Sequence, residues 1–199
     1  MTRRAPTGAA LLQPGVTKAI TDAVLAEWAE QGYARLSMES VAKRAGVGKS
    51  ALYRRWPSKQ EMAMAVLADF SVALAATPDT GSLRGDLREA LDSVLTWLTD
   101  PSFSRIMPDL AAEATRNPEL CAFMKNMIGT PRRERSAVML HRAVERGELR
   151  ADVDLELLQD LLAAPVYWRL SVRGFPVEPT YLDDLTDLIL RAVTTTGSA

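Results

Sequence analysis

The residues best suited to chemistry are six basic side chains that lie close together in the first third of the chain. No acidic residue lies between Glu39 and Glu61, and this interval holds Lys43, Arg44, Lys49, Arg54, Arg55 and Lys59. Tyr53 lies among them. Cationic side chains and a phenol hydroxyl are groups that bind phosphate oxygens. The segment therefore indicates binding to a polyanion, with nucleic acid as the first candidate.

The spacing around these residues predicts two short helices joined by a glycine turn. Ser37 can cap the first helix, because its hydroxyl can accept a hydrogen bond from a first-turn amide. Gly46 can end that helix, since glycine takes a left-handed conformation at little cost. A second helix is expected from Lys49 to about Arg55, with Leu52 and Trp56 facing inward. This is the pattern of a helix-turn-helix, although an ordinary helical corner with a solvated basic face would also fit it.

Residues 17–62 resemble the DNA-binding domain of TetR-type transcriptional regulators. Thr17–Gln31 is similar to their first helix, and the string VAKRAGVGKSALYRRWPSKQEM is similar to their second and third helices and the start of the fourth. The most specific match is Leu-Tyr-x-x-aromatic-Pro-Ser-Lys, which here runs from Leu52 to Lys59. Gly48 departs from the family, which often has Ser or Thr there. Glycine caps a helix less well by a few tenths of a kcal/mol.

The resemblance implies that the last of these three helices enters the major groove of a double-stranded DNA operator. The side chains that would meet the groove are Lys49, Ser50, Ala51, Tyr53 and Arg54. Phosphates would be held by Lys59 and Tyr53, and by the amide ends of the first two helices near Thr17 and Ser37. On this basis Tyr53 and Lys59 are expected to be removable with little loss of stability.

Composition limits the class of protein. The chain has 199 residues, of which 47% are hydrophobic and 25% charged, as in a soluble globular protein. A single cysteine, Cys121, excludes an internal disulfide and supplies no metal cluster, so neither metal nor cofactor is expected. No apolar run approaches the roughly 20 residues that span a bilayer. A cytoplasmic protein without a membrane partner is the default expectation.

The formal net charge of −1 conceals a strong separation of charge along the chain. Residues 1–60 hold 10 Lys and Arg against 4 Asp and Glu, whereas residues 61–199 hold 14 against 21. A basic segment of net charge +6 is thus attached to an acidic body of −7. Such a distribution favours one orientation on DNA.

The remaining sequence is helical in pattern, which predicts an all-α protein of about nine helices. We expect an arm in residues 1–16, either mobile or touching phosphate through Arg3 and Arg4. A three-helix helix-turn-helix domain in residues 17–60 and a helical ligand-binding and dimerisation domain in residues 61–199 would follow. Helices of the second domain are expected at about 58–76, 83–98, 102–115, 117–146 with a kink or break at 129–131, 155–173 with a kink at Pro165, and 178–193.

The last two helices resemble the dimerising pair of TetR-type proteins, and both are apolar on more than one side. One side can pack on the chain's own body and the other on a second copy, which gives a homodimer; a monomer whose core takes both sides is the alternative. The interface is predicted to contain Leu158, Leu162, Val166, Leu185, Leu188 and Ile189.

The resemblance also implies a small-molecule pocket in the body. Methionine and aromatic side chains suit an adaptable apolar cavity, although they can equally be plain core. The candidate lining residues are Trp97, Phe103, Met107, Met124, Met127 and Trp168, and they favour a small hydrophobic ligand.

The expected function is a DNA-binding regulator, a repressor that its ligand releases from the operator. The alternative is an all-helical enzyme or interaction module whose basic corner is incidental. No catalytic motif supports an enzyme, and the single histidine, His141, lies in a helix rich in Arg and Glu.

Overall fold

The computed structural model describes residues 14–73, 75 and 77–194, and every regular element in these ranges is helical. The α-helices in chain order are α1 (Pro14–Gln31), α2 (Met38–Ala45), α3 (Lys49–Tyr53), α4 (Lys59–Ala73), α5 (Leu83–Thr99), α6 (Phe103–Ala114), α7 (Pro118–Phe123), α8 (Thr130–Glu145), α9 (Leu155–Tyr167) and α10 (Pro179–Val193). Two π-helical segments, Met124–Gly129 and Trp168–Val172, join α7 to α8 and extend α9. The described chain thus forms nine continuous helical runs, and the predicted fold class is confirmed.

The chain divides into two compact units, the first ending at Leu67 and the second beginning at Ala68. The division falls inside α4, several residues after the boundary expected at 60, because α4 contributes its first two turns to the first unit. The predicted arm lies largely outside the described residues, which start at residue 14. Residues 14–16 belong to α1, since a proline is well tolerated in the first turn of a helix.

The first unit is held together by one apolar face from each of its helices. Ile20, Val24 and Trp28 recur at four-residue steps along α1 and are buried. Val41 of α2 and Leu52 of α3 are also fully buried, so that the two short helices are fixed by packing rather than by their own length. The predicted inward side of the helix-turn-helix is therefore present.

The second unit is organised around α5, against which α6, α8, α9 and α10 all pack. Leu83, Leu87, Leu91 and Leu98 give α5 a buried apolar side at helical spacing. A helix with neighbours on several sides is the natural core of a bundle. Within the described residues, no helix combines the length and the apolar character needed to cross a bilayer.

A buried polar cluster ties the start of α5 to the end of α8. The carboxylate of Asp86, which is fully buried, accepts hydrogen bonds from the amide and the hydroxyl of Thr80, at 2.7 and 2.8 Å, and from Arg146 at 3.0 Å. Glu148 accepts a hydrogen bond from the Leu83 amide and another from Arg146 at 3.2 Å. Every oxygen of the buried carboxylate is thereby satisfied.

The sequence predicts a kink or break at 129–131 and a kink at Pro165; the helical run continues through both positions, so there is no break, and the two kinks stay predictions. The run from α7 to α8 passes through Gly129 and Pro131 without a break, because the π-helical segment Met124–Gly129 widens the preceding turn. Wider turns accommodate a proline ring that cannot donate to the carbonyl four residues earlier. Pro165 likewise lies inside α9, and a second π-helical segment follows it.

Candidate nucleic-acid interface

The helix-turn-helix begins and turns through the contacts that its sequence predicts. The Ser37 hydroxyl oxygen accepts a hydrogen bond from the Ser40 amide at 3.1 Å, which caps α2. Gly46 adopts φ = +67°, and its left-handed conformation lets the Val47 amide donate to the Ala42 carbonyl at 3.0 Å. α3 then begins after Gly48, which caps it without any side-chain hydrogen bond. Ser37 is thus occupied in holding the helix end.

One side of α3 is free of the core and carries four of the predicted DNA-contacting residues. This reading face consists of Lys49, Ser50, Tyr53 and Arg54, all of which are exposed. Tyr53 is 54% exposed although it is aromatic. Ala51 is half-buried at the edge of this face, and Leu52 lies fully buried on the opposite side. The helix therefore presents cations and a phenol outward from an apolar anchor.

The basic residues around the reading face differ in how firmly they are held. Lys49 forms an ion pair with Glu39 at 2.9 Å, but both side chains are largely exposed. Such a pair is worth about 0–1 kcal/mol, so Lys49 can exchange Glu39 for a phosphate.

Thr17 is half-buried in the first turns of α1. Its role as an amide-end contact therefore stays a prediction.

Arg44 has a structural role that the sequence analysis missed. Its guanidinium donates to Glu30 at 2.8 Å and lies 2.7 Å from Glu27, and both carboxylates belong to α1. The hydrogen bond with Glu30 raises the pKa of Arg44 above its ordinary value, and Glu27 adds to the effect. A signal was available, because Glu27 and Glu30 lie one helical turn apart on one face of α1. Arg44 fastens α2 to α1 and is not part of the reading face.

Lys59 is also engaged inside its own unit. Its ammonium donates to the Tyr33 carbonyl at 2.9 Å and lies 4.4 Å from the centre of the Tyr33 ring. The residue is half-buried, and the contacts join the start of α4 to the loop that follows α1. These contacts argue against the expectation that Lys59 can be removed with little loss of stability, and its contact with a phosphate stays a prediction.

We therefore expect Lys59→Met to lower the free energy of unfolding by about 1–2 kcal/mol, because a charged hydrogen bond and a cation–π contact are lost together. Urea unfolding followed by circular dichroism measures the loss. Lys18→Met is the matched control, since Lys18 makes only an exposed pair with Asp22, and it should change stability by less than about 0.5 kcal/mol. Equal stability of the two variants would contradict the bracing role of Lys59.

The second unit contains a cavity of about 210 Å³ beside α5, α8 and α9. Its apolar wall includes Val94, Trp97, Ile128 and Leu162, and its polar lining comes from Ser93, Arg132, Arg133, Ser136, Gln159 and Asp160. A neighbouring cavity of about 250 Å³ is lined by Trp97, Met107 and Tyr167 among others. Two of the six predicted lining residues, Trp97 and Met107, therefore reach a cavity wall.

The other four predicted lining residues lie elsewhere. Phe103 is fully buried core, with its ring centre 4.3 Å from that of Trp97. Met124 belongs to the first π-helical segment and lines neither cavity. Met127 and Trp168 are exposed on the surface, 48% and 57% respectively. Residue type alone could not separate these positions, because each is apolar at helical spacing and only the tertiary packing distinguishes wall, core and surface.

Arg132 and Arg133 make the first cavity more polar than the sequence analysis expected. The Arg132 guanidinium lies 4.1 Å from the centre of the Trp97 ring and donates to the Ser71 carbonyl at 2.8 Å. Burial lowers the pKa of Arg132 to about 10, and the nearby charge of Arg135 contributes. Arg133 instead forms an ion pair with Asp160.

The predicted dimer interface is corrected by burial. Leu158, Leu162, Val166, Leu185 and Ile189 lie in the core of their own chain, and only Leu188, which is 58% exposed, is on the surface. A buried side chain has no surface to offer a partner. The exposed large apolar residues of α9, its π-helical extension, the following loop and α10 are together called the outer apolar face: Leu157, Leu161, Trp168, Val172, Phe175 and Leu188.

Two family models together cover most of the chain. Residues 20–66 match bacterial regulatory proteins of the tetR family, and residues 77–189 match the tetracyclin repressor-like C-terminal domain. The first range contains the helix-turn-helix and the reading face. The second contains the principal walls of both cavities and all six residues of the outer apolar face.

Relatives of known sequence and structure agree with these matches. The chain is 32% identical over 171 residues to the DNA-binding transcriptional repressor TetR of Mycobacteroides abscessus, covering 84% of this chain and 87% of the relative. It is 26% identical over 184 residues to the uncharacterized HTH-type transcriptional regulator YdeS of Bacillus subtilis, covering 92% of each. The crystal structure of the TetR family transcription regulator SCO0332 superimposes with a TM-score of 0.72 at 32% identity, covering 89% of this chain and 98% of that one. The chain belongs to the TetR family of HTH-type transcriptional regulators.

Proposed function

We propose that this regulator is a homodimeric repressor that binds a two-half-site DNA operator and leaves it when a small molecule fills the second unit. The observation that carries the proposal is the reading face, where Lys49, Ser50, Tyr53 and Arg54 project from a helix anchored by Leu52. The name of the Mycobacteroides abscessus relative, a transcriptional repressor, supports the direction of the effect.

On DNA, α3 would lie in the major groove with the reading face towards the base edges. Arg54 and Lys49 can donate to base or phosphate oxygens, and the Tyr53 hydroxyl can donate to a phosphate. Ala51, at the edge of the face, would allow close approach of the helix to the groove. Lys59 would act indirectly, because it holds the start of α4 against Tyr33.

Dimerisation would use the outer apolar face. Leu157, Leu161 and Trp168 follow one another at helical spacing along α9 and its π-helical extension, and all are exposed. Two contacts join this run to α10: the Tyr181 hydroxyl donates to the Pro165 carbonyl at 3.4 Å, and Arg169 lies 4.4 Å from the Tyr181 ring. Exposed apolar rows on adjacent helices favour burial against a second copy around a two-fold axis.

Release from DNA would be transmitted through α4, which carries the chain from the first unit into the second. Arginines of α8 hold the end of this helix and the residues after it by their carbonyl groups: Arg132 donates to Ser71 at 2.8 Å, Arg135 to Ala75 at 2.7 Å, and Arg142 to Pro78. Because Arg132 also lines the 210 Å³ cavity, a ligand there can alter how the end of α4 is held. By linkage, DNA must weaken ligand binding by the same factor.

The proposal is tested by selecting from a random duplex library at increasing salt. The regulator should retain a palindromic sequence above background, with half-sites spaced by about one helical turn, roughly 34–36 Å. Tyr53→Ala should lower affinity for that sequence about tenfold while leaving thermal stability nearly unchanged, because the exposed ring supports no core. Tyr53→Phe keeps the ring and loses the hydroxyl, so it separates the two contributions.

Retention of no sequence above background would contradict the operator-binding proposal and favour an incidental basic corner. A large loss of stability in Tyr53→Ala would instead show that Tyr53 belongs to the core of the first unit. The salt dependence of the affinity, compared between the retained duplex and an unselected duplex, measures the number of phosphate contacts independently. Each such contact contributes about −0.9 to the slope of log K against log salt concentration.

A further inference from the structure

We propose that the 210 Å³ cavity of the second unit receives a small aromatic carboxylate whose charged group pairs with Arg132. The inference rests on the proposed function in one respect, namely that this cavity is where an effector binds. It goes further by naming the chemical class of the effector and the residue that selects it.

The first argument is the state of the Arg132 guanidinium. It makes one hydrogen bond, to the Ser71 carbonyl, and stacks on Trp97, and no carboxylate within the described residues pairs with it. A guanidinium has five N–H donors arranged as a planar fork that matches a carboxylate with two parallel hydrogen bonds. Most of the donors of Arg132 therefore have no protein acceptor in the described chain.

The neighbouring Arg133 lines the same cavity but, unlike Arg132, has a carboxylate partner. Its guanidinium pairs with Asp160 and donates to the Gln159 side-chain oxygen at 3.3 Å, while Gln159 donates back to the Arg133 carbonyl at 3.2 Å. Asp160 is thus already neutralised by Arg133. The charged lining consists of Arg132, Arg133 and Asp160, so one positive charge is left over and it belongs to Arg132.

Burial makes this unpaired charge costly. Desolvation lowers the pKa of Arg132 to about 10, so at neutral pH the group is still a cation but is held in surroundings that disfavour its charge. An anion brought beside it restores part of the lost electrostatic stabilisation, and a hydrogen bond between two charged groups is stronger than one between neutral groups. A neutral ligand would leave the cost in place, and a cation would add to it.

The shape of the cavity indicates what the rest of the ligand must be. Its remaining wall is largely apolar, with Val94, Ile128 and Leu162 facing the Trp97 side. A dry cavity of about 150 Å³ accommodates benzene in another protein, so about 210 Å³ accommodates one ring together with a carboxylate on a short linker.

The test uses trans-cinnamate and its neutral analogue cinnamamide as probes for the full-length regulator. Isothermal titration calorimetry should give a cinnamate affinity about ten- to a hundredfold higher than that for cinnamamide, as expected for a charge-assisted bidentate pair. Arg132→Met should abolish this preference. Ser136→Ala is the matched control, because Ser136 lines the same cavity and its loss leaves Arg132 and the Arg133–Asp160 pair in place, so this variant should keep the preference.

Circular dichroism establishes that each variant is folded. If Arg132→Met does not fold, Arg132→Lys replaces it. Lysine keeps the positive charge but lacks the planar fork of N–H donors, so Arg132→Lys should show a reduced preference for cinnamate. Equal binding of the acid and the amide to the parent protein would overturn the assignment, as would an unchanged preference in Arg132→Met. Binding of neither probe at millimolar concentration would also overturn it. Operator retention from the duplex library is measured without any effector, so failure here leaves the DNA-binding proposal separately testable.

Discussion

Leu188→Glu should convert the regulator to a monomer at micromolar concentration and lower its affinity for the full operator at least a hundredfold. Leu188 is 58% exposed on α10 and belongs to the outer apolar face, and a carboxylate buried there without a partner in the proposed interface would be costly. A monomer holds one half-site instead of two and so loses the gain that comes from linking two binding events. Sedimentation velocity and fluorescence anisotropy on the operator measure the two effects.

Val138→Glu is the matched control for this prediction. Val138 is 51% exposed and apolar, but it lies on α8, outside the outer apolar face. This variant should therefore remain a dimer and keep its affinity for DNA. A dimeric Leu188→Glu protein would show that the interface lies elsewhere, and dissociation of both variants would show that it extends over α8 as well.

The helix-turn-helix could be predicted because its signals are local. Ser37 caps a helix that starts one residue later, Gly46 takes a positive φ at the turn, and Leu52 provides the anchor of α3. Each of these depends on a residue and its near neighbours in the chain. The exposure of Tyr53 follows from the same periodicity, since it lies next to Leu52 on a helix with one buried side.

The roles of Lys59 and Arg44 could not be predicted with the same ease, because their partners are distant in sequence. Lys59 reaches Tyr33, 26 residues earlier, and Arg44 reaches Glu30, 14 residues earlier. A basic residue in a basic segment looks like a phosphate contact until its partner is known. The number of cations in a segment therefore does not show how many of them are free of partners within the chain.

The proposed dimer face shows a different limit: the sequence predicts the two helices but not which side of each is exposed. Both predicted helices, α9 and α10, do carry an exposed apolar row, but the row begins at Leu157 rather than at Leu158. When a helix is apolar on two sides, its sequence predicts that both sides are buried. It does not indicate which side packs against its own chain and which side packs against a partner. In this protein the row that includes Leu158 and Leu162 is the inner one.

The ligand cavity was the hardest feature to predict, because its distinguishing residue is charged. Methionine and aromatic residues indicate an apolar pocket, whereas Arg132 in the basic string TPRRER resembles a solvated surface residue. Its burial against Trp97 arises only when α5 and α8 pack together. Arg133 pairs with Asp160, whereas Arg132 has no carboxylate partner in the described chain. Because the two side chains are identical and adjacent in sequence, the sequence cannot predict this difference.

The second large effect is expected at Asp86. Asp86→Asn should lower the free energy of unfolding of the second unit by roughly 2–4 kcal/mol at neutral pH, because an amide nitrogen would replace an oxygen in a fully buried cluster and face the Arg146 guanidinium. The cluster joins the start of α5 to the end of α8, so the loss acts on the central helix of the bundle. Urea unfolding followed by circular dichroism measures it, with Asp92→Asn, an exposed partner of Arg88, as the control expected to change less than about 0.5 kcal/mol.

The pH dependence gives this prediction a second readout. Burial alone would raise the pKa of Asp86, but the hydrogen bonds from Thr80 and Arg146 outweigh it and hold the pKa below its ordinary value. Because the folded-state pKa is the lower one, the stabilisation is fully present above the unfolded-state pKa of about 3.9 and is lost as the pH falls through the folded-state pKa. The parent protein should therefore lose its advantage over Asp86→Asn as the pH falls below the unfolded-state pKa of about 3.9. A stability difference that stays constant over this range would mean that the carboxylate's ionisation does not hold the cluster together.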